Sequence, residues 1–389
     1  MENNELKNHL FIVIGGENMT PLGAIRSLGE SGIKPIAILI HSQIRFASTS
    51  KYIKKLHRVT DQKEAVDLLL REYGNLKEKP FVIPTDDTIV TLLDKMYDTI
   101  KDKFYVSNAK INGRITEFMS KYSICELAKK HKLNVAKSWL VKKGEIPKDL
   151  IYPVLTKPLT PYPDWKLDYH ICNNENELRA AYEVIKKDDD LLLQQYIIKV
   201  NELCLDGCVV NQGKELFIAI ASTYTYILPD YYSMEMVVKN FDDINTINSL
   251  KEMFTEIGFE GIFSTEFLID KDGKLWFLEI NFRDSTWSWA ATKNGMNLFL
   301  IWANGMISKH INLEVRKEIP NNYIALAEAE DFSHRVMRLK LISVFKWIKG
   351  ILKADCLYDW DWKDPIPVFS YWGGVVFNSI KKRIRRGKK

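Results

Sequence analysis

Two glutamates face each other across a hairpin that the sequence predicts between residues 264 and 283. This stretch reads STEFLIDKDGKLWFLEINFR, with Asp272-Gly273 between two runs rich in β-branched and aromatic residues. An Asp-Gly pair in such a setting is a strong signal for a two-residue hairpin loop. With that loop, Glu266 falls directly opposite Glu279 on the neighbouring strand.

Alternation along the second strand extends this polar face. Asn281 lies two residues beyond Glu279 and therefore points to the same side of the sheet, and Arg283 continues that side if the strand persists. The opposite face is mostly apolar and consists of Thr265, Phe267, Leu278 and Ile280. The hairpin is therefore expected to be buried on at least one side.

Two carboxylates placed directly opposite each other in a sheet repel, and burial strengthens the repulsion. A divalent cation removes the conflict, because carboxylate and amide oxygens are hard ligands suited to Mg²⁺ held together with nucleotide phosphates. Glu266, Glu279 and Asn281 therefore predict a magnesium site, with Mn²⁺ as the alternative ion. A solvated surface face is the competing interpretation. An EF-hand is excluded, since strands rather than helices flank Asp270-Lys-Asp272-Gly.

The Glu…Glu-x-Asn pattern on two neighbouring strands resembles the ATP-grasp superfamily, in which these residues bind the Mg²⁺ of Mg-ATP. The resemblance extends over roughly residues 10–300 and implies further site residues in a fixed order. Lys121 and Lys157 match the two phosphate lysines of the superfamily. The first lies at the start of a helix and the second at the end of the strand in YPVLTKP.

The resemblance also assigns the residues expected to contact the base, the ribose and the transferred phosphate of ATP. The segment whose backbone meets adenine corresponds to Gln194, Gln195, Tyr196 and Ile197. Glu202 matches the acid that binds the ribose hydroxyls, and Arg283 matches an arginine beside the transferred phosphate. Arg283 and Lys157 are therefore the expected catalytic residues.

Within the superfamily, the chain looks like carboxylate–amine ligases such as D-aspartate ligase, and like carbamoyl phosphate synthase modules. This implies an enzyme that makes an acyl phosphate from ATP and a small acid such as an amino acid, joins it to an amine, and releases ADP and phosphate. Two alternatives keep the fold: a non-catalytic ATP-binding regulatory or scaffold protein, and a carboxylating enzyme that uses bicarbonate. A dehydrogenase is disfavoured, because the first turn lacks G-x-G-x-x-G.

One segment departs from the superfamily pattern. The loop that covers the phosphates is usually rich in glycine, whereas residues 158–174 contain none. A stiffer lid that uses Tyr162, Trp165 and Lys166 is expected there, and His170 is a weaker catalytic candidate. Farther along, Trp287 and Trp289 alternate after Arg283 and are expected either to wall the substrate pocket or to pack in the core.

The elements that must position these residues fall into three expected regions. Residues 1–115 alternate strand and helix and predict a doubly wound, Rossmann-like α/β domain that precedes the ATP-grasp domain. Its helix near Thr85–Asp87 has either an ordinary N-cap or an anion site. Residues 116–312 predict an α+β ATP-grasp catalytic domain, in which one helix over 115–139 precedes mostly antiparallel strands. Residues 313–389 are expected to form a basic, Trp-rich C-terminal extension.

Composition restricts the remaining classes. The 389 residues are 46% hydrophobic and 27% charged, which excludes collagen-like, coiled-coil and disordered chains, and no apolar run is long enough to span a membrane. The net charge of +5 arises from residues 381–389, where seven positions are basic, so nucleic-acid binding is not expected. Five scattered cysteines predict reduced core thiols in a cytoplasmic protein, and Cys204 with Cys208 is disfavoured as a metal site.

Basic and apolar residues are interspersed through residues 334–353. One interpretation is an interfacial helix on anionic lipid, assisted by the basic residues 381–389. The other is a packing helix with solvated lysines. The expected location is cytoplasmic, with peripheral contact at the inner membrane face under the first interpretation. The expected partners are a small-molecule carboxylate and an amine.

Overall fold

The computed structural model describes residues 6–158, 169–185, 190–228 and 232–386. The first strands are β1 (Phe11–Gly15), β2 (Ile36–Ile40), β3 (Lys55–Val59) and β4 (Phe81–Pro84). They form a parallel sheet in the order β3-β2-β1-β4. The helices of this region are α1 (Met19–Glu30), α2 (Gln62–Tyr73), α3 (Asp87–Lys95) and α4 (Tyr97–Ile100).

Continuous apolar runs explain the parallel sheet. β1 and β4 are buried at every position, as expected for strands that helices cover on both faces. The helix α1 begins at Asn18, whose side chain accepts a hydrogen bond from the Thr20 N–H. The doubly wound α/β arrangement predicted for this part of the chain is confirmed.

A small antiparallel sheet follows two short helices, α5 (Arg114–Phe118) and α6 (Lys121–Lys130). Its elements are β5 (Ser138–Lys142), β6 (Val154–Pro158), β7 (Ile171–Cys172), α7 (Glu175–Val184) and β8 (Asp190–Gln195). The strands pair in the order β5-β8-β6-β7. The single helix predicted over 115–139 is wrong, because Ser120 caps a new helix and β5 has begun by residue 138.

The largest sheet in the described part of the chain has seven strands. They are β9 (Lys199–Val210), β10 (Glu215–Tyr224), β11 (Glu235–Lys239), β12 (Gly261–Asp270), β13 (Leu275–Asn281), β14 (Tyr323–Leu326) and β15 (Cys356–Leu357). Their order is β13-β12-β9-β10-β11-β14-β15, and all pairs are antiparallel except β14 with β15. The helices of this region are α8 (Ile244–Ile257), α9 (Ser288–Lys293) and α10 (Leu298–Ser308).

Residues beyond 312 also supply helices. These are α11 (Glu328–Asp331), a π-helical segment (Phe332–Arg338), α12 (Val344–Ile351) and α13 (Ile366–Arg386). A continuous helix across 334–353 is therefore wrong, since residues 339–343 are not helical. Short 3₁₀ turns occur at Leu6–Asn8, Ala47–Thr49 and Leu313–Val315. No helix within the described ranges has both the length and the apolar character needed to cross a bilayer. The domain limits at 115 and 312 stay predictions.

A buried arginine connects the C-terminal segment to the first helix. Arg26 of α1 is fully buried and donates hydrogen bonds to Asp364 Oδ2 (3.1 Å), Tyr358 O (2.8 Å) and Asp359 O (3.1 Å). Ser50 also donates to Asp364 Oδ2, at 2.7 Å. A buried charge is tolerated when it is paired and fully hydrogen-bonded. These contacts therefore fasten residues 358–364 against the parallel sheet.

Candidate functional site

The turn between β12 and β13 has one residue more than the sequence predicts. The Asp270 N–H donates a hydrogen bond to Lys274 O at 3.2 Å. The Gly273 N–H donates a second one to Asp270 O at 3.0 Å. The loop is therefore Lys271–Gly273, and Gly273 has φ +76°. A three-residue loop with glycine in the left-handed position is a common alternative hairpin connection. The predicted two-residue loop, which would pair Lys271 with Lys274, is wrong.

A bulge in β13 restores the predicted pairing of the two glutamates. Phe267 pairs with Phe277, and the next pair along is Glu266 with Glu279, so Leu278 is the extra residue. The bulge offsets the longer turn by one position. The prediction that Glu266 lies opposite Glu279 is confirmed, although it was reached through the wrong turn. Bulges of this kind often re-aim side chains next to functional sites.

The facing carboxylates have different surroundings. Desolvation, together with the neighbouring charge of Glu279, raises the pKa of Glu266 to about 7. Asn281 Nδ2 donates to Glu266 Oε1 at 3.0 Å. Glu279 instead makes an ion pair with Lys121 Nζ at 3.1 Å, and the Lys121 side chain is 51% exposed. The pair therefore concentrates negative charge that a half-exposed lysine only partly neutralises.

The donor set fits a hard divalent cation. Two carboxylates and the Asn281 side chain stand on one face of the hairpin, and a cation bound there would offset the desolvation and the mutual repulsion that raise the pKa of Glu266. Across the described ranges, no group of three or more His, Cys, Asp or Glu side chains forms a metal cluster. A metal ion here would thus depend on two carboxylates, one amide and oxygens from a bound ligand.

Lys157 is a buried cation at the end of β6. Its Nζ donates to Gln194 Oε1 at 2.8 Å, and Gln194 Nε2 donates onward to Ser138 Oγ at 3.0 Å. Burial, followed by the repulsion of Lys121, lowers the pKa of Lys157 to about 8. An anionic ligand would therefore stabilise the charged form of this buried ammonium group.

Most residues that the resemblance assigned to nucleotide binding line one cavity of about 300 Å³. We call it the lysine cavity, and its lining includes Lys121, Lys157, Gln194, Gln195, Tyr196, Ile197, Glu202, Leu278, Glu266 and Glu279. The N–H groups of Gln195 and Tyr196 already donate to Lys137 O and Pro153 O, each at 2.8 Å. These two N–H groups are therefore already paired within the protein.

Glu202 lies at the edge of the lysine cavity, near the start of β9. It forms an ion pair with Lys199 and accepts a hydrogen bond from Tyr224 Oη at 3.2 Å. Burial, and next the charge of Glu202, raise the pKa of Tyr224, so this phenol stays protonated and remains a donor. The carboxylate is thereby held in a fixed orientation.

A second cavity of about 550 Å³ lies on the other side of the two glutamates. We call it the arginine cavity, because Arg283 lines it just beyond the end of β13. The guanidinium makes a bidentate ion pair with Asp87 of α3, with Nε and an Nη at 2.7 and 2.9 Å from the two carboxylate oxygens. The cavity therefore joins the parallel sheet region to the hairpin. The two cavities share the residues Glu202, Tyr232, Glu266 and Glu279.

Asp87 is a functional candidate that the sequence does not reveal. The cap of α3 is Asp86, whose side chain accepts from the N–H groups of Thr88 and Ile89. The ordinary N-cap interpretation of this segment is therefore correct, and an anion site at this helix start is wrong because a carboxylate already occupies it. Asp87, one residue on, is left to pair with Arg283.

Acidic side chains outnumber basic ones in the lining of the arginine cavity. The acids are Asp87, Glu202, Glu266, Glu279 and Glu330, and Arg283 is the basic residue of this lining. Burial raises the pKa of Glu330. Trp287 lines the cavity, whereas Trp289 is 1% exposed and belongs to the core. The two tryptophans therefore differ: Trp287 lines a cavity, and Trp289 packs in the core.

Three of the predicted lid residues, Tyr162, Trp165 and Lys166, lie outside the described residues. His170 lines neither cavity, and its backbone N–H donates to Thr156 Oγ1 at 3.0 Å. All five cysteines are free and buried, as predicted for core thiols. Cys204 Sγ lies 3.0 Å from Ser264 Oγ, and Cys204 is the residue of β9 that pairs with Glu266 of β12.

No family model matches this sequence, and no curated protein matches it. Solved structures do. An L-amino acid ligase from Bacillus licheniformis superposes with a TM-score of 0.59 at 14% identity, over 81% of this chain and 78% of that one. An N5-carboxyaminoimidazole synthetase from Staphylococcus aureus gives 0.59 at 15% identity over 84% of each chain. The biotin carboxylase domain of Hydrogenobacter thermophilus 2-oxoglutarate carboxylase, in complex with MgADP and bicarbonate, gives 0.56 at 17% identity over 80% and 73%.

Each of these superpositions covers at least 80% of this chain. The chain has the ATP-grasp fold. The fold class predicted from the sequence is confirmed. Identities this low establish the ATP-grasp fold alone, so the activity has to be argued from the site itself.

Proposed function

We propose that this protein is an ATP-dependent carboxylate–amine ligase. One observation supports this function above the others: the Glu266–Glu279 pair forms a common wall between a cavity with two lysines and a cavity with an arginine. A phosphate donor on one side and an acceptor on the other would meet at that wall. Catalysis of phosphoryl transfer consists mainly of positioning the reactants and neutralising their charge, which this arrangement suits.

ATP would bind in the lysine cavity. Lys121 and Lys157 would bind its phosphates, the segment from Gln194 to Ile197 would contact adenine, and Glu202 would accept from the ribose hydroxyls. Mg²⁺ or Mn²⁺ would be held by Glu266, Glu279 and Asn281. When bound, the metal ion would offset the charge of the β- and γ-phosphates.

The reaction would take place on the acceptor side of the wall. An oxygen of the substrate carboxylate attacks the γ-phosphorus, the bond from that phosphorus to ADP breaks, and an acyl phosphate forms. The amine nitrogen then attacks the acyl carbon, inorganic phosphate leaves, and the nitrogen loses a proton. Arg283 would stabilise the negative charge on the transferring phosphoryl group and on the tetrahedral adduct.

Arg283 can serve this role although Asp87 already binds it. A guanidinium has five N–H donors. Nε and one Nη bond Asp87, and the other Nη donates to Asp284 O at 3.1 Å. These contacts use three donors and leave two for a ligand. Asp87 would therefore act as a positioning residue that fixes the plane of the guanidinium.

The acid-rich lining of the arginine cavity supports an amine as the second substrate. Ion pairs with Lys199, Lys121 and Arg283 already balance Glu202, Glu279 and Asp87, and Glu266 would bind the metal ion, so Glu330 is the carboxylate of this lining that would meet a substrate. A protonated amine would be attracted to Glu330, whereas the carboxylate substrate would be attracted to Arg283. Glu330 lies on this side of the site and does not line the lysine cavity, so it would contact the amine rather than the nucleotide.

A screen for products tests the proposed function. The full chain is incubated with ATP, Mg²⁺ and pools of amino acids, other small carboxylates and amines, and ADP and new masses are measured. A product whose mass equals acid plus amine minus water, formed with one ADP per product, is expected. ATP binding without turnover in every pool would instead favour a regulatory or scaffold protein.

A bicarbonate-using carboxylating enzyme is the second candidate. The observation that favours it is the match to a biotin carboxylase domain whose structure holds bicarbonate. Release of ADP that requires bicarbonate but no carboxylate substrate would support this candidate over the ligase.

The five buried, free cysteines support a reducing compartment such as the cytoplasm as the place of action.

A further inference from the structure

The helix α12 exposes an apolar arc to solvent. At 3.6 residues per turn, Val344, Phe345, Ile348 and Leu352 lie within about 100° of one another around its axis. Phe345 and Leu352 are each 80% exposed. The side of α12 that packs on the protein is different and carries Trp347, whose ring centroid lies 4.7 Å from that of Phe332. The apolar arc is therefore not the packing face of this helix.

The basic residues of the same segment border this arc. Lys346 and Lys349 of α12, and Lys353 two residues after its end, lie in the sector next to Phe345, and all three are exposed. The sequence from 332 to 354 contains no acid. Arg335 is the exception among its basic residues, since it bonds Asp331 at 2.8 Å and does not face solvent as a free cation. The segment 339–354 thus bears only positive charge beside exposed apolar side chains, while the exposed Asp355 follows it and the buried Glu328 and Asp359 line the adjoining cavity.

The helix α13 adds a second exposed apolar stripe. Ile366, Phe369 and Phe377 lie on one side of it at helical spacing, and each is more than half exposed. Between α12 and α13 lies a cavity of about 510 Å³ lined by four tryptophans, which are Trp347, Trp360, Trp362 and Trp372. Trp362 is 85% exposed at its mouth. Tryptophan favours the boundary between water and lipid, because its ring is apolar and its N–H is polar.

We propose that α12, the tryptophan cavity and the first part of α13 form a surface that binds the interface of an anionic lipid bilayer. Phe345, Leu352 and Trp362 would enter the level of the headgroups, and Lys346 with its neighbouring lysines would contact lipid phosphates. The one-signed charge argues against a second copy of this chain as the occupant, because two such faces repel each other. This proposal follows the first of the two interpretations of residues 334–353, and the packing-helix interpretation stays its competitor in the test.

This surface is independent of the proposed ligase chemistry, since none of its residues lines the lysine or the arginine cavity. Its loss should leave ATP turnover in solution unchanged. An enzyme placed there would work on substrates that are themselves attached to lipid or present at the bilayer surface. That consequence can fail without affecting the assignment of the ATP site, and the reverse also holds.

Vesicle co-sedimentation of the full chain tests the apolar part. The wild-type chain should bind vesicles of equal parts phosphatidylglycerol and phosphatidylcholine at least about tenfold more strongly than pure phosphatidylcholine at ~100 mM salt. The double variant Phe345→Ser, Leu352→Ser should lose at least about tenfold in binding. A matched double variant at exposed apolar sites elsewhere, Ile244→Ser and Leu313→Ser, should bind as the wild type does.

A second arm tests the charge. Changing Lys346, Lys349 and Lys353 to glutamine should weaken binding to anionic vesicles and remove most of its dependence on salt. The same change at three exposed lysines elsewhere should have little effect: Lys63, Lys148 and Lys251. Melting curves confirm that each variant is folded.

Three results would overturn the proposal. The first is a wild-type chain that does not bind anionic vesicles. The second is a Phe345→Ser, Leu352→Ser variant that binds them as well as the wild type. The third is a dimer, seen by analytical ultracentrifugation without lipid, that this variant dissociates, because a second copy would then cover the surface.

Discussion

The lysine cavity and the arginine cavity share a wall but differ in two respects. Their linings hold different proportions of acidic and basic side chains, and different parts of the chain supply them. The lysine cavity lies between the small antiparallel sheet and the hairpin, and Lys121 and Lys157 offset its acids. The arginine cavity reaches back to the parallel sheet through Asp87 and has an excess of acids. Lys157 has a lowered pKa, whereas Glu330 on the other side has a raised one.

This difference indicates which ligand would complete each side. Buried ammonium groups gain from an anion, and buried carboxyl groups gain from a cation. Under the proposed function, the lysine cavity would bind polyphosphate and the arginine cavity would bind a substrate that brings positive charge. The wall between them serves both, so substitutions in the wall should affect both sides, and substitutions elsewhere should affect one.

The largest effect is expected at the wall. Glu279→Gln should lower turnover of Mg-ATP at least about 100-fold, because one of two anionic metal ligands is lost. The rise in melting temperature that Mg-ATP produces should disappear with it. Glu117→Gln is the matched control, since Glu117 also makes a surface ion pair, with Arg114 at 3.2 Å. A Glu279→Gln protein that turns over ATP normally would remove the metal site from the proposal.

An effect restricted to the acceptor side is expected from Arg283→Lys. Lysine keeps the charge but cannot make the bidentate contact with Asp87, so turnover should fall about 30-fold while the Kd for Mg-ATP changes less than about twofold. Asp87→Asn should give a smaller loss of the same kind. Asp98→Asn, which breaks a surface ion pair with Lys101, is the control. Calorimetry that found weakened Mg-ATP binding in Arg283→Lys would place Arg283 on the nucleotide side.

Lys157→Met should separate binding from stability. Its Kd for ATP should rise at least about tenfold, which corresponds to about 1.4 kcal/mol. Below pH 8 the ammonium is charged in the folded and the unfolded state, so burying it destabilises the fold. Between pH 8 and 10.5 the folded protein loses the proton first and this cost disappears, so wild-type stability rises with pH across that window.

The ligand-free variant should therefore unfold at a higher temperature than the wild type at pH 7, with the difference vanishing near pH 10.5. Lys142→Met, on exposed β5, should change neither Kd nor the pH dependence. Unchanged ATP affinity in Lys157→Met would exclude Lys157 from the nucleotide site. Lower stability at pH 7 would mean that the lysine has a structural partner that outweighs its burial.

The smallest effect is expected from Glu330→Gln. The KM for the amine should rise about threefold to tenfold, and the KM for ATP should stay unchanged. Because burial raises the pKa of Glu330, amine affinity of the wild type should increase as pH rises through that pKa, and the variant should lose this dependence. Glu318→Gln, an exposed substitution, is the control. Equal shifts in both KM values would contradict the separation of the two sides.

The sequence predicts the facing glutamates because alternation has a period of two. An error of one residue at a turn would normally send every side chain of the strand to the other face. Here the longer turn and the extra residue Leu278 compensate each other, so Glu266 still meets Glu279. A bulge depends on packing beneath the sheet, and no residue type in WFLEIN predicts its position. The pairing of Glu266 with Glu279 is therefore predicted correctly only because the extra turn residue and the bulge cancel each other.

Other features depend on contacts that no local pattern encodes. The ion pair of Arg283 with Asp87 joins residues 196 positions apart. Trp287 and Trp289 look equivalent in sequence, and only the packing of α9 decides which one reaches the cavity. In contrast, the sequence does indicate that a new helix begins at Lys121, because Ser120 is a good N-cap residue within an otherwise helical pattern.

The Arg26 cluster has a consequence for how the chain is made on the ribosome. Arg26 emerges early, but its partner Asp364 lies 338 residues later. At roughly 5–20 residues per second, that interval lasts about 20–70 s. During it the first helix has an arginine side chain destined for the interior and nothing to pair with it. The packing of α1 that depends on this cluster is therefore completed only after residue 364 has been synthesised.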